Sequence, residues 1–183
     1  MLIAVDKPLE LSSFDIVKRM KHVFPGQKIG HSGTLDPKAT GLMILGIGKG
    51  TKRLTSLIGL DKVYETVIDF SKMSDTWDMG YREKYEEFPV ESLDAPSLVQ
   101  VEEKLQQLMP TYELPLPAFS AKKKEGKRMY ELARKGKELS ESRVMKIHQI
   151  DILEYAFPEL RLRIGVGSGT YIRSIGYWLG QQF

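Results

Sequence analysis

The chain has no cysteine, and that one absence removes several chemistries together. Disulfide cross-links, thiolate zinc sites and cysteine nucleophiles all need a sulfur that is missing here. Histidine is nearly as scarce: His22, His31 and His148 stand far apart, so no histidine-based metal site is expected. No apolar run approaches the ~20 residues that a membrane-spanning helix requires. The opening stretch, Met1-Leu2-Ile3-Ala4-Val5-Asp6-Lys7, meets charge after five residues. A secretory signal is therefore not expected, and a cytoplasmic protein is. Internal repeats and low-complexity stretches are also lacking. The glycine-rich turn at Gly167-Ser168-Gly169-Thr170 has no Gly-Lys-Ser/Thr ending, which disfavours a Walker-type ATP site.

What is present suits one compact domain with room for a modest insertion. Hydrophobic residues make up 42% of the 183 positions and charged residues 28%, enough to bury a core and keep a wetted surface. The net charge of +3 is unevenly spread. Between Lys122 and Lys137 eight basic residues face only Glu125 and Glu131, so this segment alone carries +6. Such a block suits a polyphosphate contact surface or, equally, a solvated helix.

Periodicity gives an intermixed set of elements, and so an α/β (α+β) class. Ser12 and Asp15 stand in capping-box spacing ahead of Phe14, Val17, Met20 and Phe24, which predicts a helix. Residues 25–41 read as a loop rich in glycine and proline, and Leu42 to Ile47 as a buried strand. Thr51 to Ile58 reads as a short helix. Lys62 to Phe70 alternates, putting Tyr64, Ile68 and Phe70 on one face of a strand. Residues 71–96 are expected to be loop with at most one more strand. Ser97 and Gln100 cap a second helix with a stripe of Leu98, Val101, Leu105 and Leu108. Pro110, Pro115 and Pro117 then break regular structure. The basic segment reads as a thinly apolar helix through Met129, Leu132 and Ala133, stopping at Gly136. Val144 to Phe157 and Leu160 to Val166 are expected to pair, and a last helix carries Tyr171, Ile172, Ile175, Trp178 and Leu179.

Three places could carry chemistry. In Gly30-His31-Ser32-Gly33-Thr34-Leu35-Asp36-Pro37-Lys38-Ala39-Thr40-Gly41, Pro37 disfavours helical backbone at Asp36 and stiffens the carboxylate's perch. The same residues also suit an ordinary turn. In Gly167-Ser168-Gly169-Thr170-Tyr171-Ile172-Arg173, an arginine near a helix start can pair with a carboxylate or phosphate. Tyr64 faces either a site or the core. Met73-Ser74-Asp75-Thr76-Trp77-Asp78 adds two acids three apart, a spacing common on solvated loops.

Taken in order, these segments resemble the tRNA pseudouridine-55 synthase (TruB) family. Asp6-Lys7-Pro8 with Ser12-Ser13 is similar to its N-terminal motif, and the Gly30 to Gly41 loop to its catalytic loop almost residue for residue. Lys62-Val63-Tyr64 is similar to its Lys-x-Tyr strand, and Ser74-Asp75-Thr76-Trp77-Asp78-Met79-Gly80 to its acidic turn. Ser120 to Gly136 resembles the RNA-gripping insertion, and Gly169 to Arg173 the last site motif. Ser71, Ser74 and Phe119 depart from the family's usual Gly, Thr and Tyr.

The resemblance implies a mixed, mainly antiparallel sheet flanked by helices in a single catalytic domain over 1–183, with the insertion at about 114–143. A Leu-Arg-Arg strand and a small C-terminal RNA-binding domain, which follow in the family, are not among the 183 residues. It further implies conversion of uridine to pseudouridine in RNA, the T-loop uridine 55 of tRNA above all. Asp36 is then the nucleophile, and three routes stay open: attack on C1′, attack on C6, or elimination to a glycal. An aspartate of ordinary pKa, about 3.9, is ionised at neutral pH, and a nearby Arg173 would keep it so. Tyr64 would stack on the flipped base, His31 would fill the space it leaves, and Asp75 would support the site through hydrogen bonds. Lys7, Lys123 and Arg128 count among the substrate-binding residues. The implied partner is RNA, with no cofactor, metal, membrane or second subunit. A non-catalytic RNA-folding helper of the same fold, and a generic nucleic-acid-binding domain, are the competing readings.

Overall fold

The computed structural model describes residues 1–79, 85–120 and 141–183, together with the backbone of 123–124 and 127–128. The chain divides into two compact units, Met1–Leu60 and a second formed by Asp61–Met79 with the described residues from 85 onward.

In the first unit, β1 (Leu2–Lys7) leads into α1 (Ser13–Val23), followed by β2 (Ile29–His31) and β3 (Gly41–Ile47). The predicted capping box is present: the Ser12 hydroxyl accepts from the Asp15 amide while the Asp15 carboxylate accepts from the Ser12 amide. The three strands form an antiparallel sheet in the order β1-β3-β2. Ile16 and Val17 of α1 bury against Met43 and Leu45 of β3, with Val5, Leu11, Met20 and Ile29 around them. Strand β2 lies inside the stretch expected to be loop. Its three residues have no periodicity of their own and are strand only because β3 supplies the partner.

The stretch expected to be one short helix is two elements, a 3-10 helix over Gly48–Arg53 and then α2 (Leu54–Ile58). The tighter winding goes with a close approach: a Cβ on Gly50 would sit 2.0 Å from the Met1 carbonyl oxygen, so only glycine fits there.

The second unit is built on a four-stranded antiparallel sheet in the order β4-β11-β10-β7. Here β4 is Lys62–Asp69, β7 is Thr111–Pro115, β10 is Ser142–Ala156 and β11 is Glu159–Val166. The alternation predicted for β11 is obeyed: Leu160, Leu162, Ile164 and Val166 are all buried. Arg161 and Arg163 face the other way, where both reach Glu65 of β4 and hold its carboxyl below the usual carboxylate range. Across the β4–β11 ladder Tyr64 sits opposite Ile164, and Ile68 opposite Leu160. Tyr64, Ile68 and Phe70 pack on the core, as the alternation implied.

Helix α3 (Leu98–Gln107) has its Ser97–Gln100 capping box and buries Val101, Leu105 and, just past its end, Leu108. Leu98, counted in the stripe from sequence, is 43% exposed because it opens the helix. The proline-marked stretch contains a strand after all. Strand β7 lies at the sheet edge, where Pro115 costs no ladder bond toward a further strand. Residues 71–96 hold two short strands, β5 (Lys72–Ser74) and β6 (Tyr85–Glu87), which pair with each other. In the basic segment β8 (Lys123–Lys124) pairs with β9 (Lys127–Arg128), so its start is a hairpin and not a helix. The helix expected around Met129 to Gly136 lies outside the described residues. Helix α4 (Ile172–Gly180) closes the second core with Ile175 and Leu179. No helix among the described residues is long and apolar enough to cross a membrane.

Candidate active site

Asp36 stands in a stretch without regular structure between β2 and β3, yet its backbone is held on both sides. Before it, the Ser13 hydroxyl donates to the Leu35 carbonyl at 3.0 Å and accepts from the Leu35 amide at 2.9 Å. After it, the Pro37 carbonyl accepts from the Glu10 amide at 2.8 Å and from the Lys7 ammonium at 3.2 Å. The Asp36 carbonyl itself accepts from the Ala39 amide at 3.0 Å. An irregular segment fastened at three consecutive residues is preorganised, so little conformational freedom remains to be lost when a substrate arrives.

Lys7 is the most unusual residue of the first unit. Its side chain is fully buried, and its ammonium also donates to the carbonyls of Pro8 at 2.9 Å and Leu11 at 2.6 Å. Burial pulls its pKa below the ordinary lysine value, and the charge of Asp36 opposes that shift. Lys7, counted among the substrate-binding residues by resemblance, is an internal cation that ties three carbonyls together within electrostatic reach of Asp36. His31 closes β2. Its Nδ1 donates to the Gly33 carbonyl at 2.6 Å, which fixes the ring's tautomer and orientation.

The second unit carries Tyr64, Asp75 and Arg173. Arg173 lies in the first turn of α4, and its guanidinium donates to the Thr76 carbonyl at 2.8 Å and the Phe119 carbonyl at 3.1 Å. These two bonds to main-chain oxygens fix where the guanidinium stands. Asp75 is exposed on the turn after β5. The hydroxyl of Ser74 ties that turn, donating to the Asp78 carbonyl at 2.7 Å and accepting from the Asp78 amide at 3.1 Å. The side chains of Lys123 and Arg128 lie outside the described residues. Within the second unit, a cavity of about 380 Å³ is lined by Phe70, Trp77, Phe88, Phe157, Arg173 and Tyr177, among others. No cluster of metal-ligating side chains occurs among the described residues.

The roles of four contributors have no signal in the sequence. Ser13 belongs to a helix start and to the motif beside Lys7, but nothing local marks its hold on Leu35, 22 residues away. Ser74 appeared only as a departure from a motif. Trp77 and Tyr177, whose rings stack, gave no sequence signal for each other.

Strand order, the antiparallel ladders and the helix across the sheet define a fold that solved structures share. The chain matches a structure titled as a Cbf5-Nop10-Gar1 complex with a TM-score of 0.70 at 24% identity, over 99% of this chain and 44% of that one. It also matches an H/ACA ribonucleoprotein bound to a substrate RNA containing 2′-deoxyuridine, with a TM-score of 0.69 at 22% identity, over 99% and 42%. These likenesses place the chain in the pseudouridine synthase fold class. A family model described as TruB family pseudouridylate synthase, N-terminal domain, matches residues 21–172. The tRNA pseudouridine synthase B of Flavobacterium johnsoniae is 37% identical over 98% of this chain and 80% of its own length. That of Chlorobaculum tepidum is 39% identical over 97% and 75%. The chain belongs to the TruB family of pseudouridylate synthases.

Proposed function

We propose that this chain isomerises uridine to pseudouridine in RNA, acting on the T-loop uridine of tRNA, with Asp36 as nucleophile. The observation that carries the reading is the fastening of the Asp36 loop. Ser13 and Lys7 hold the residues before and after the carboxylate, and Lys7 brings a buried positive charge within reach of it. Binding alone does not require a carboxylate presented so rigidly, so this favours an enzyme over an RNA-folding helper.

The reaction breaks the bond from uracil N1 to C1′ and forms one from C5 to C1′. C5 loses its proton to solvent and N1 gains one, so no electrons are exchanged with any co-reactant. The base must first leave its stack, which costs a few kcal/mol. Tyr64 stacks on the extruded base, and His31 fills the gap left in the RNA. Arg173 and Asp75 support the reacting nucleotide, while Lys123 and Arg128 grip phosphates. The protein works as a monomer in the cytoplasm.

Release of tritium from C5-labelled uridine in a T-loop transcript tests this directly. The unmodified protein is expected to release label, and Asp36→Asn to release none while still binding the RNA. Tight binding without release by the unmodified protein would establish the helper instead.

A further inference from the structure

The turn that presents Asp75 is held by two side chains of α4 spaced one helical turn apart. Residues i and i+4 lie on the same face of a helix, so Arg173 and Tyr177 reach out together. Arg173 donates to the carbonyl of Thr76 at 2.8 Å. Tyr177 stacks on the next residue, Trp77, with ring centroids 4.0 Å apart and planes inclined by 14°. The guanidinium therefore fastens the residue directly after Asp75, and the phenol ring fastens the residue after that.

Trp77 stands at φ 59, in the left-handed region that glycine and asparagine fill easily and bulky residues rarely enter. A backbone in that state persists only where its surroundings hold it. Here the Trp77 amide donates to the Ser74 carbonyl at 3.1 Å, the Ser74 hydroxyl bridges to Asp78, and the indole lies flat on Tyr177. A stacked ring pair contributes beyond the area it buries and so favours this placement of the indole.

We infer that Trp77 and Tyr177 are positioning residues: their stack sets where Arg173 and the Asp75 turn stand when the substrate nucleotide is bound. This rests on the function proposed above. The competing explanation is that the two rings merely wall the neighbouring cavity.

Two measurements on the full chain separate these. The first is single-turnover tritium release beside RNA affinity. Trp77→Gly keeps the left-handed turn accessible and removes the ring; Tyr177→Ala removes the other ring without touching the turn. Both are expected to slow the chemical step about tenfold or more, as misplacing reacting groups by about an ångström can, with RNA affinity changed less than twofold. Trp77→Phe and Tyr177→Phe keep a stack and are expected to restore most of the rate. Full-rate turnover by Trp77→Gly, or rate and affinity falling together, would overturn the inference. The second is hydrogen exchange at the Trp77 and Asp78 amides, which needs no activity. Tyr177→Ala is expected to speed exchange there at least tenfold; unchanged exchange means that the stack holds nothing. Absence of tritium release from the unmodified protein would count against the proposed function alone, since the exchange experiment still decides the clamp.

Discussion

Lys7 shows how much one residue can organise. A buried ammonium is tolerable only when its hydrogens are all taken, and here the carbonyls of Pro8, Leu11 and Pro37 take them. Lys7→Met keeps the bulk and removes the donor to the Pro8 and Leu11 carbonyls, while the Pro37 carbonyl keeps only the Glu10 amide. It should destabilise the fold by about 2–4 kcal/mol, read from urea unfolding, and should slow turnover further by loosening Pro37 beside Asp36. A second residue-scale effect depends on pH. The Ser12 hydroxyl, then the Ser12 amide, hold the Asp15 carboxyl below its ordinary range. The folded-state value is thus the lower one, so this contribution is present above the unfolded value and is lost as pH falls through the folded one. Ser12→Ala should flatten the acid limb of the stability curve below about pH 4 and leave the alkaline limb alone. An acid limb of unaltered slope would show that the cap does not set it.

At the scale of elements, whatever rests on local repetition was visible in the residues. Both capping boxes, the alternation of β4 and β11 and the apolar face of α4 follow from spacings of two to four residues, and each occurs as read. Truncating one of the fully buried β11 positions, Leu162→Ala, should cost about 2–5 kcal/mol. Ser97→Ala, which removes the cap of α3, should cost only about 1 kcal/mol. Calorimetry that ranked these two in the opposite order would contradict the burial described. Elements that depend on a distant partner were not visible. Strand β2 exists because β3 lies beside it, and β7 because the first residues of β10 do. The hairpin of β8 and β9 hid inside a charge pattern equally suited to a helix. The candidate site divides the same way. Motifs brought Asp36, Tyr64 and Arg173 forward. The groups that hold them (Ser13 across 22 residues, Phe119 across 54) are specified only by the folded chain.

For the molecule as a whole, the residues proposed for chemistry are shared between its two units. Lys7, His31 and Asp36 belong to the first, while Tyr64, Asp75 and Arg173 belong to the second. The charge is also unequally shared, with +6 between Lys122 and Lys137 in a chain of net +3. If that segment meets phosphates, replacing Lys123 and Arg128 by glutamine should weaken RNA binding and lower the slope of log affinity against log salt by about 2. An unchanged slope would remove them from the interface.

The base of that segment is closed by bonds of its own. Ser142 pairs with Pro115 at the end of the β7–β10 ladder, and one step further the Leu116 amide donates to the Glu141 carbonyl at 2.7 Å. Leu116 and Glu141 therefore form a cinched neck, and the entropy of closing a loop grows only slowly with its length. Exchanging residues 121–140 for a short glycine-serine linker should leave one cooperative unfolding transition, shifted by no more than about 5 °C. Mutation is thus free to lengthen, trim or swap this stretch without loosening the bonds from Ser13, Glu10 and Lys7 that fasten the Asp36 loop.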